Sequence, residues 1–395
     1  MLQFRSVNRR LAALAGPKRA QALSLAAILA VLVATLWPFD PIPRNAVTWL
    51  TGANGIRFNK GGVVVSKQPL KSPEMGAQDS CTLELFLRPA SIKSSQTILG
   101  FYSPTSRTQL SVLQWRDSLL VTLYPSVQHD PTGRVKFDFD HVFSPSTLVF
   151  LAISSGREGT TLFVNGQRAQ FYPRFEITLG DMSGQIVLGT ASTGYRPWSG
   201  EMRGLAIYAK ELTPGTASQH YLTWTDPNRY PPADSGDAIV RYSFKEGSGT
   251  EIHNEVAPTP ELTVPAIFAI PHKAFLQSPA KEFKTSRSYI FDALTNVAGF
   301  VPLGVVVFAY FAWARTRWKA VLTTIACCGL LSLAIEISQY FIPQRGSGIT
   351  DVITNTLGAS LGALLAQWHL VRKPLEKVGI LPVSGESVIR SRTPC

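Results

Sequence analysis

The sequence is poor in sulfur. Of its four cysteines, Cys327 and Cys328 sit together inside an apolar run, Cys395 is the last residue, and Cys81 stands alone in a long polar stretch. A disulfide within that stretch is therefore excluded, and its fold must rest on a hydrophobic core, which its length permits. The Cys327–Cys328 pair is read as helix packing, because apolar surroundings raise a thiol pKa and quench its reactivity. Motifs of soluble catalysis are missing as well: there is no P-loop, nucleophile elbow or dinucleotide fingerprint. His129, His141, His220 and His253 are scattered without metal-ligand spacing, and no acidic run has the spacing of a calcium loop. The residues themselves require no cofactor.

Charge is also scarce, at 16% of residues against 45% hydrophobic, and it is segregated. Four apolar runs, residues 21–38, 296–313, 321–342 and 349–370, each approach the ~20 residues that cross a bilayer as a helix. The formal charge of +12 is distributed around them. Arg5, Arg9, Arg10, Lys18 and Arg19 precede the first run, Arg315, Arg317 and Lys319 fill the loop after the second, and Arg372, Lys373 and Lys377 follow the fourth. Positive charge in short flanking segments marks the cytoplasmic side. All three clusters give one topology, with both termini inside and the polar stretch and the Arg345 loop outside. The basic balance is thus a membrane signal, and no nucleic-acid partner is expected. The first run has no small-x-small cleavage site after it, so residues 21–38 are read as an uncleaved helix following a basic segment, 1–20.

Between the first two runs the texture changes to short β-rich segments separated by turn residues: 55–66, 81–89, 96–103, 118–124, 146–154, 160–170 and 184–190. Asn165 and Gly166 form a two-residue hairpin signal, since both tolerate positive φ. The expected fold class is mixed: a multi-pass α-helical membrane domain of about four transmembrane helices, with an antiparallel β-sandwich, or jelly roll, inserted between the first helix and the second. The sandwich is expected over residues 45–265, a connection over 266–288, the membrane domain over 289–370 with spans 292–313, 321–342 and 349–370, and a cytoplasmic tail over 371–395.

Residues 162–167 (LFVNGQ), 184–189 (GQIVLG) and 200–221 (GEMRGLAIYAKELTPGTASQHY) resemble the laminin-G-like, concanavalin A-like jelly rolls, the last of them their closing strand and helix start. Residues 239–254 (IVRYSFKEGSGTEIHN) look like the segment that opens such a domain, yet here they follow the closing one. Sandwich termini often lie close together, so residues 239–265 are expected to supply the opening strand in permuted order. The resemblance implies carbohydrate or protein binding, in some members with calcium, and Tyr195 and Trp198 are the candidates for stacking on a sugar ring, with core or turn packing as the competing reading.

The polar residues of the membrane part are the other candidates. Asp292, Asn296, Glu336, Gln339, Arg345, Asp351 and Asn355 fall at three helix ends on one side of the bilayer, where ionisable groups are costly and default to a functional reading. Gly358 and Gly362 form a step that permits close helix approach. NVAGFVPLG (296–304), Glu336 to Gln339, the Arg345, Asp351, Asn355, Thr356, Gly358 series and WPFD after the first helix resemble the VanZ-like membrane family, named for a glycopeptide-antibiotic resistance factor. The resemblance implies an envelope protein of the cytoplasmic membrane. Two functions stay open: binding of an envelope glycan or protein by the jelly roll, which positions it over the polar cluster, or a membrane enzyme using Glu336 or Asp351 as acid or base and Arg345 as an anchor for an anionic group. An ion-pair network that only locks the helix ends is the competing reading. Transport by four spans without an evident repeat is disfavoured.

Overall fold

A computed structural model of the chain describes residues 2–71, 80–103, 107–123, 135–173, 175–226, 237–282 and 287–383. It divides into two compact units, one of Ile42–Lys273 and one of Met1–Pro41 with Ala274–Cys395. The polar stretch is thus an insertion into a helical unit.

The inserted unit is an antiparallel sandwich of two eight-stranded sheets. The first runs β1 (Val47–Trp49), β2 (Ile56–Phe58), β13 (Gly200–Tyr208), β4 (Cys81–Pro89), β9 (Val149–Gly156), β10 (Gly159–Val164) and β11 (Gln167–Pro173), with β14 (Ala238–Tyr242) also on β13. The second runs β15 (Glu251–Ile252), β16 (Leu262–Thr263), β3 (Val64–Ser66), β12 (Gln185–Leu188), β5 (Ser95–Ser103), β6 (Arg107–Trp115), β7 (Ser118–Leu123) and β8 (Val135–Phe139). Leu83, Leu85, Leu99, Phe101, Val121, Ile153, Leu188 and Leu205 fill the space between the sheets. They come from alternate positions of their strands, as a period of two demands.

Turn chemistry sets the register. Asn165 and Gly166 have φ of 50° and 78°, the positive pair of a tight hairpin, and Val164 pairs with Gln167 across them. The β6–β7 hairpin turns on Arg116, also at positive φ (57°), and Asp117. That pair carries no glycine signal, so the sequence gives no turn cue to set off β6. Residues 55–66, expected as one strand, are two: β2 belongs to the first sheet and β3 to the second, and the chain crosses between them through Gly61 at φ 91°.

The edge of β13 is shared. Gly200–Met202 of β13 pair with β2, and Leu205–Tyr208 pair with β14, so one strand position is built from both ends of the unit. β15 and β16 extend the other sheet beside β3. Residues 266–273, expected to lead away, instead pack on the sandwich: Phe268 and Ile270 are buried against Val63 and Val187. Helix α2 (Pro214–Thr225), capped at Thr213, covers Phe86, Phe150 and Phe163 on the outer face of the first sheet.

The helical unit contains α1 (Leu2–Leu36), a short α3 (Pro279–Glu282), α4 (Arg287–Phe311), α5 (Arg317–Tyr340), α6 (Ile349–Leu365) and α7 (His369–Lys377). Three segments, Ala15–Leu36, Tyr289–Phe311 and Arg317–Tyr340, are long and apolar enough to cross a membrane, and α6 with α7 makes a fourth if that bent pair is one span. The bend is 74° and corrects the expected straight helix over 349–370. The apolar run ends near Leu365, while α7 carries Arg372, Lys373 and Lys377, charges that a helix continuing through hydrocarbon cannot keep. Helix α4 runs through Pro302 without a break. It meets α6 at backbone distance: a Cβ added at Gly304, Gly358 or Gly362 would lie 2.2, 2.2 and 2.1 Å from the carbonyl oxygens of Ala359, Val297 and Val301. Only glycine allows two helices this close.

Candidate functional site

The close α4–α6 contact determines what the polar side chains can do. Asp292 and Asn296 lie one turn apart on α4, and Asp351 and Asn355 one turn apart at the start of α6, so each pair shares a face. With the helices drawn together, Asn296 Nδ2 donates to Asp351 Oδ1 at 2.8 Å, and Asn355 Nδ2 donates to Ser332 Oγ of α5 at 2.9 Å. Around them is a cavity of about 1000 Å³. Its wall includes Asp292, Asn296, Gln339, Arg345, Asp351 and Asn355, with Thr35, Gln277, Tyr289 and Thr350, and apolar surface from Ala30, Val31, Ala34 and Phe300. Gly299 and Gly346 also line it, and an added Cβ at either would meet no atom within 4 Å.

The seven expected residues divide into two groups. Three are engaged at helix termini, where backbone groups lack intrahelical partners. Gln339 Nε2 donates to Thr35 O at 3.0 Å and Arg345 Nη2 to Trp37 O at 2.6 Å, so α5 and the turn after it close the C-terminal end of α1, where a cation is favoured. Glu336 has a different place from the one expected. It is 2% exposed and absent from the cavity wall. Its Oε2 accepts from Gly348 N at 2.8 Å, its backbone carbonyl accepts from Ser347 Oγ at 2.8 Å, and it meets the positive end of α6, whose N-cap Gly348 has no side chain to offer. The remaining four, Asp292, Asn296, Asp351 and Asn355, face the cavity from α4 and α6.

Some wall residues carried no sequence signal. Gln277 reaches the site because its backbone N–H donates to Ser347 O at 3.0 Å and its carbonyl accepts from Ile349 N at 3.0 Å, a two-bond bridge between segments seventy residues apart in sequence. Tyr289 and Thr350 precede the polar positions that the motifs single out. Asn355 is 4% exposed, and its Oδ1 is a buried acceptor with no hydrogen-bond partner.

In the sandwich, Trp198 is fully buried, and its indole N–H donates to Gln114 Oε1 at 2.9 Å. It belongs to the core and presents no face for stacking. Tyr195 is half-buried, with its ring edge-on to Phe268 at 6.1 Å, and burial raises its phenol pKa above the usual value. The segment 266–273, which packs there, is what encloses it. Glu84, buried beside α2, accepts from His220 Nδ1 at 2.6 Å and Trp224 Nε1 at 2.8 Å. Cys81 is buried, and burial pushes its thiol well above the ordinary range.

One group among the described residues, Glu251, His253 and Glu261, brings possible metal ligands within 4.8 Å of one another. The Lys67 ammonium already stands between the carboxylates, 2.5 Å from Glu251 and 3.2 Å from Glu261, and supplies the positive charge this cluster accommodates.

Comparison with known proteins agrees with both halves. Residues 61–217 match the family model described as the concanavalin A-like lectin/glucanases superfamily, and residues 243–371 match the VanZ/LLP1 model, which reaches back into β15 and β16 of the sandwich. A 90-residue segment is 33% identical to protein VanZ of Enterococcus faecium, covering 22% of this chain and 53% of that protein; the chain thus spans about half the length of this curated relative. Among solved structures, the botulinum neurotoxin serotype D ligand binding domain in complex with N-acetylneuraminic acid is 14% identical, over 44% of this chain and 45% of that one, with a TM-score of 0.33. The SAP-like pentraxin of Limulus polyphemus is 13% identical, over 57% of this chain and 95% of that one, with a TM-score of 0.34. At these scores neither bears on what the sandwich binds. The chain is a membrane protein by its long apolar helices, similar over residues 243–371 to the VanZ/LLP1 model and over residues 61–217 to the concanavalin A-like model.

Proposed function

We propose that the protein is an envelope-associated protein of the cytoplasmic membrane whose helical unit binds the polar head of an amphiphilic envelope molecule, while the extracytoplasmic sandwich engages a glycan or protein ligand. The observation that carries this reading is the cavity of about 1000 Å³ in an otherwise apolar bundle. It is large enough for a lipid headgroup, and its wall combines two carboxylates, four carboxamides, a guanidinium and apolar side chains. Ionisable groups at such a place cost several kcal/mol unless they are used or paired. A catalytic reading would assign acid or base work to Asp351 or Asp292. It is the weaker one here, because Glu336, the other candidate base, is committed to the α6 N-terminus.

The test is substitution at constant abundance. Asp351→Asn keeps an Oδ1 that can accept from Asn296 while it removes the charge and replaces the other carboxylate oxygen by an amide NH2. We expect it to be made at wild-type level and to lose the protein's contribution to survival under glycopeptide challenge; wild-type survival at wild-type abundance would sink the proposal. Orientation is tested separately, with a phosphatase reporter fused beside Arg345 expected to be active and one fused after Lys377 inactive.

A further inference from the structure

We infer that the sandwich carries a binding site for an oxyanion, the carboxylate or phosphate of an acidic glycan, on the outer face of its first sheet, where Arg57, Arg88 and Arg203 converge on Glu201. This deepens the reading that the sandwich engages a ligand, and rests on it. Strand pairing builds the site: Glu201 of β13 lies opposite Arg57 of β2 on one side and Arg88 of β4 on the other. Their neighbours Ile56, Phe58, Leu87 and Met202 belong to the core, so the period of two turns the charged side chains outward. Arg203 joins them at the irregularity in the β13–β4 ladder.

Three guanidiniums share one carboxylate. Arg57 Nη2 donates to Glu201 Oε1 at 2.9 Å and Arg203 Nη2 to Oε2 at 3.3 Å, with Arg88 Nη1 3.4 Å from the same Oε2. The one other acid on these three strands, Glu84, is held by His220 and Trp224, so the group keeps two positive charges in excess. Glu201 is also the most enclosed of the four: 11% of its side chain is exposed, against 54%, 35% and 25% for Arg57, Arg88 and Arg203. The carboxylate anchors the cations from within, and the surface presents guanidinium. Each arginine gives Glu201 a single Nη nitrogen, which leaves the other for a second acceptor, and the planar fork matches a carboxylate or a phosphate. Arg88 Nε and Arg203 Nε are buried without an acceptor among the described residues, so neither side chain sits where hydration alone would put it. A second anion relieves the mutual repulsion of the three cations. They span two strand spacings, about 10 Å, the footprint of one or two oxyanions on a sugar chain. A nucleic-acid backbone is tracked by a longer row of cations, with aromatic platforms where the strand is single.

The experiment uses the full chain purified in dodecyl maltoside, at about 150 mM sodium chloride to screen long-range attraction, passed over phosphomannan, polygalacturonate and neutral mannan on a sensor surface. An acidic glycan is expected to bind where the neutral one is silent, and comparison of the two acidic surfaces tells phosphate from carboxylate. Arg57→Gln and Arg203→Gln should each weaken binding roughly tenfold, the loss of one charge-assisted hydrogen bond. Arg168→Gln, at an exposed position on β11 of the same sheet, should leave it unchanged. Arg57 is the most exposed of the three, so its variant keeps the test available if the others reduce folded protein, which tryptophan fluorescence reports. Glu201→Gln adds net positive charge but frees the arginines, and it should weaken binding. Tighter binding by Glu201→Gln, equal losses from Arg57→Gln and Arg168→Gln, or equal retention on double-stranded DNA would overturn the site, because each reports bulk charge alone. A response to neutral mannan that Arg57→Gln does not change would also overturn it, while leaving the sandwich's binding role standing; silence on all three glycan surfaces overturns it outright.

Discussion

Replacing Gly358 by alanine tests the whole geometry of the site at a position that touches no polar residue. An added Cβ would lie 2.2 Å from Val297 O, where ordinary contact begins at 3.4 Å. The atoms it meets are backbone, so neither side can swing away, and the helices must separate by about 1.2 Å at this level. Val297 is the neighbour of Asn296, and the same displacement would stretch the 2.8 Å bond from Asn296 to Asp351 to about 4 Å, beyond hydrogen-bonding range. Overpacking costs about 1–3 kcal/mol and the lost charge-assisted bond about 1.5–3 kcal/mol. A destabilisation of order 3 kcal/mol therefore follows, which raises the unfolded fraction about a hundredfold. It is measured on the purified full chain by titration with SDS, followed by far-ultraviolet circular dichroism. Gly299→Ala is the control: it lies in the same helix pair, its Cβ would meet nothing within 4 Å, and alanine is the better helix former by about 0.5–1 kcal/mol. Equal SDS midpoints for wild type and Gly358→Ala, or equal damage from the two alanines, would refute the reasoning.

Three further outcomes follow from the sandwich. His220→Leu leaves the Glu84 carboxylate buried with only Trp224 to hold it, and should cost about 3–5 kcal/mol in urea unfolding; a Glu84→Leu/His220→Leu double variant should recover much of that, and no recovery would contradict the pairing. Burial alone would raise the Glu201 carboxyl, but hydrogen bonds from Arg57 and Arg203 and the charges of Arg88 and Arg203 outweigh it and hold its pKa below 4.5. Its stabilisation is then present above pH 4.5 and lost as pH falls through the lowered value. Acid unfolding of Glu201→Gln, read by tryptophan fluorescence, should accordingly show a weaker pH dependence below pH 4.5 than wild type. Cys81, buried with a raised thiol pKa, should react with maleimide only on unfolding, and fast labelling located at Cys81 itself, as distinct from the exposed Cys327, would show the core is not closed there.

Much of the architecture is legible in one dimension because it is written in periods and runs. Runs of about twenty apolar residues show the spans, and β4 appears at residues 81–89 with the bounds read from composition. The hairpin at Asn165–Gly166 is visible because its turn needs two residues that tolerate positive φ. The equivalent β6–β7 hairpin is not, because Arg116 adopts positive φ without announcing it. A charge count shows where the apolar run ends at its C-terminal side, but the 74° turn between α6 and α7 is a property of how the last helix leaves the bundle.

The sequence alone determined which residue types stand at the ends of the apolar runs, where Asp292, Glu336, Arg345 and Asp351 are costly to bury by their chemistry. Only the tertiary structure decided which of them face a common space. Glu336 and Asp351 are equally acidic and both lie near a helix end, yet one closes the N-terminus of α6 and the other lines the cavity. Trp198 and Tyr195 are likewise sequence neighbours, and one is core while the other leans on Phe268. The difference in each case is a specific contact: Glu336 accepts from Gly348 across the turn between α5 and α6 while Asp351 accepts from Asn296 of α4, and Trp198 donates to Gln114 while Tyr195 meets Phe268, and no local pattern encodes the partner's position.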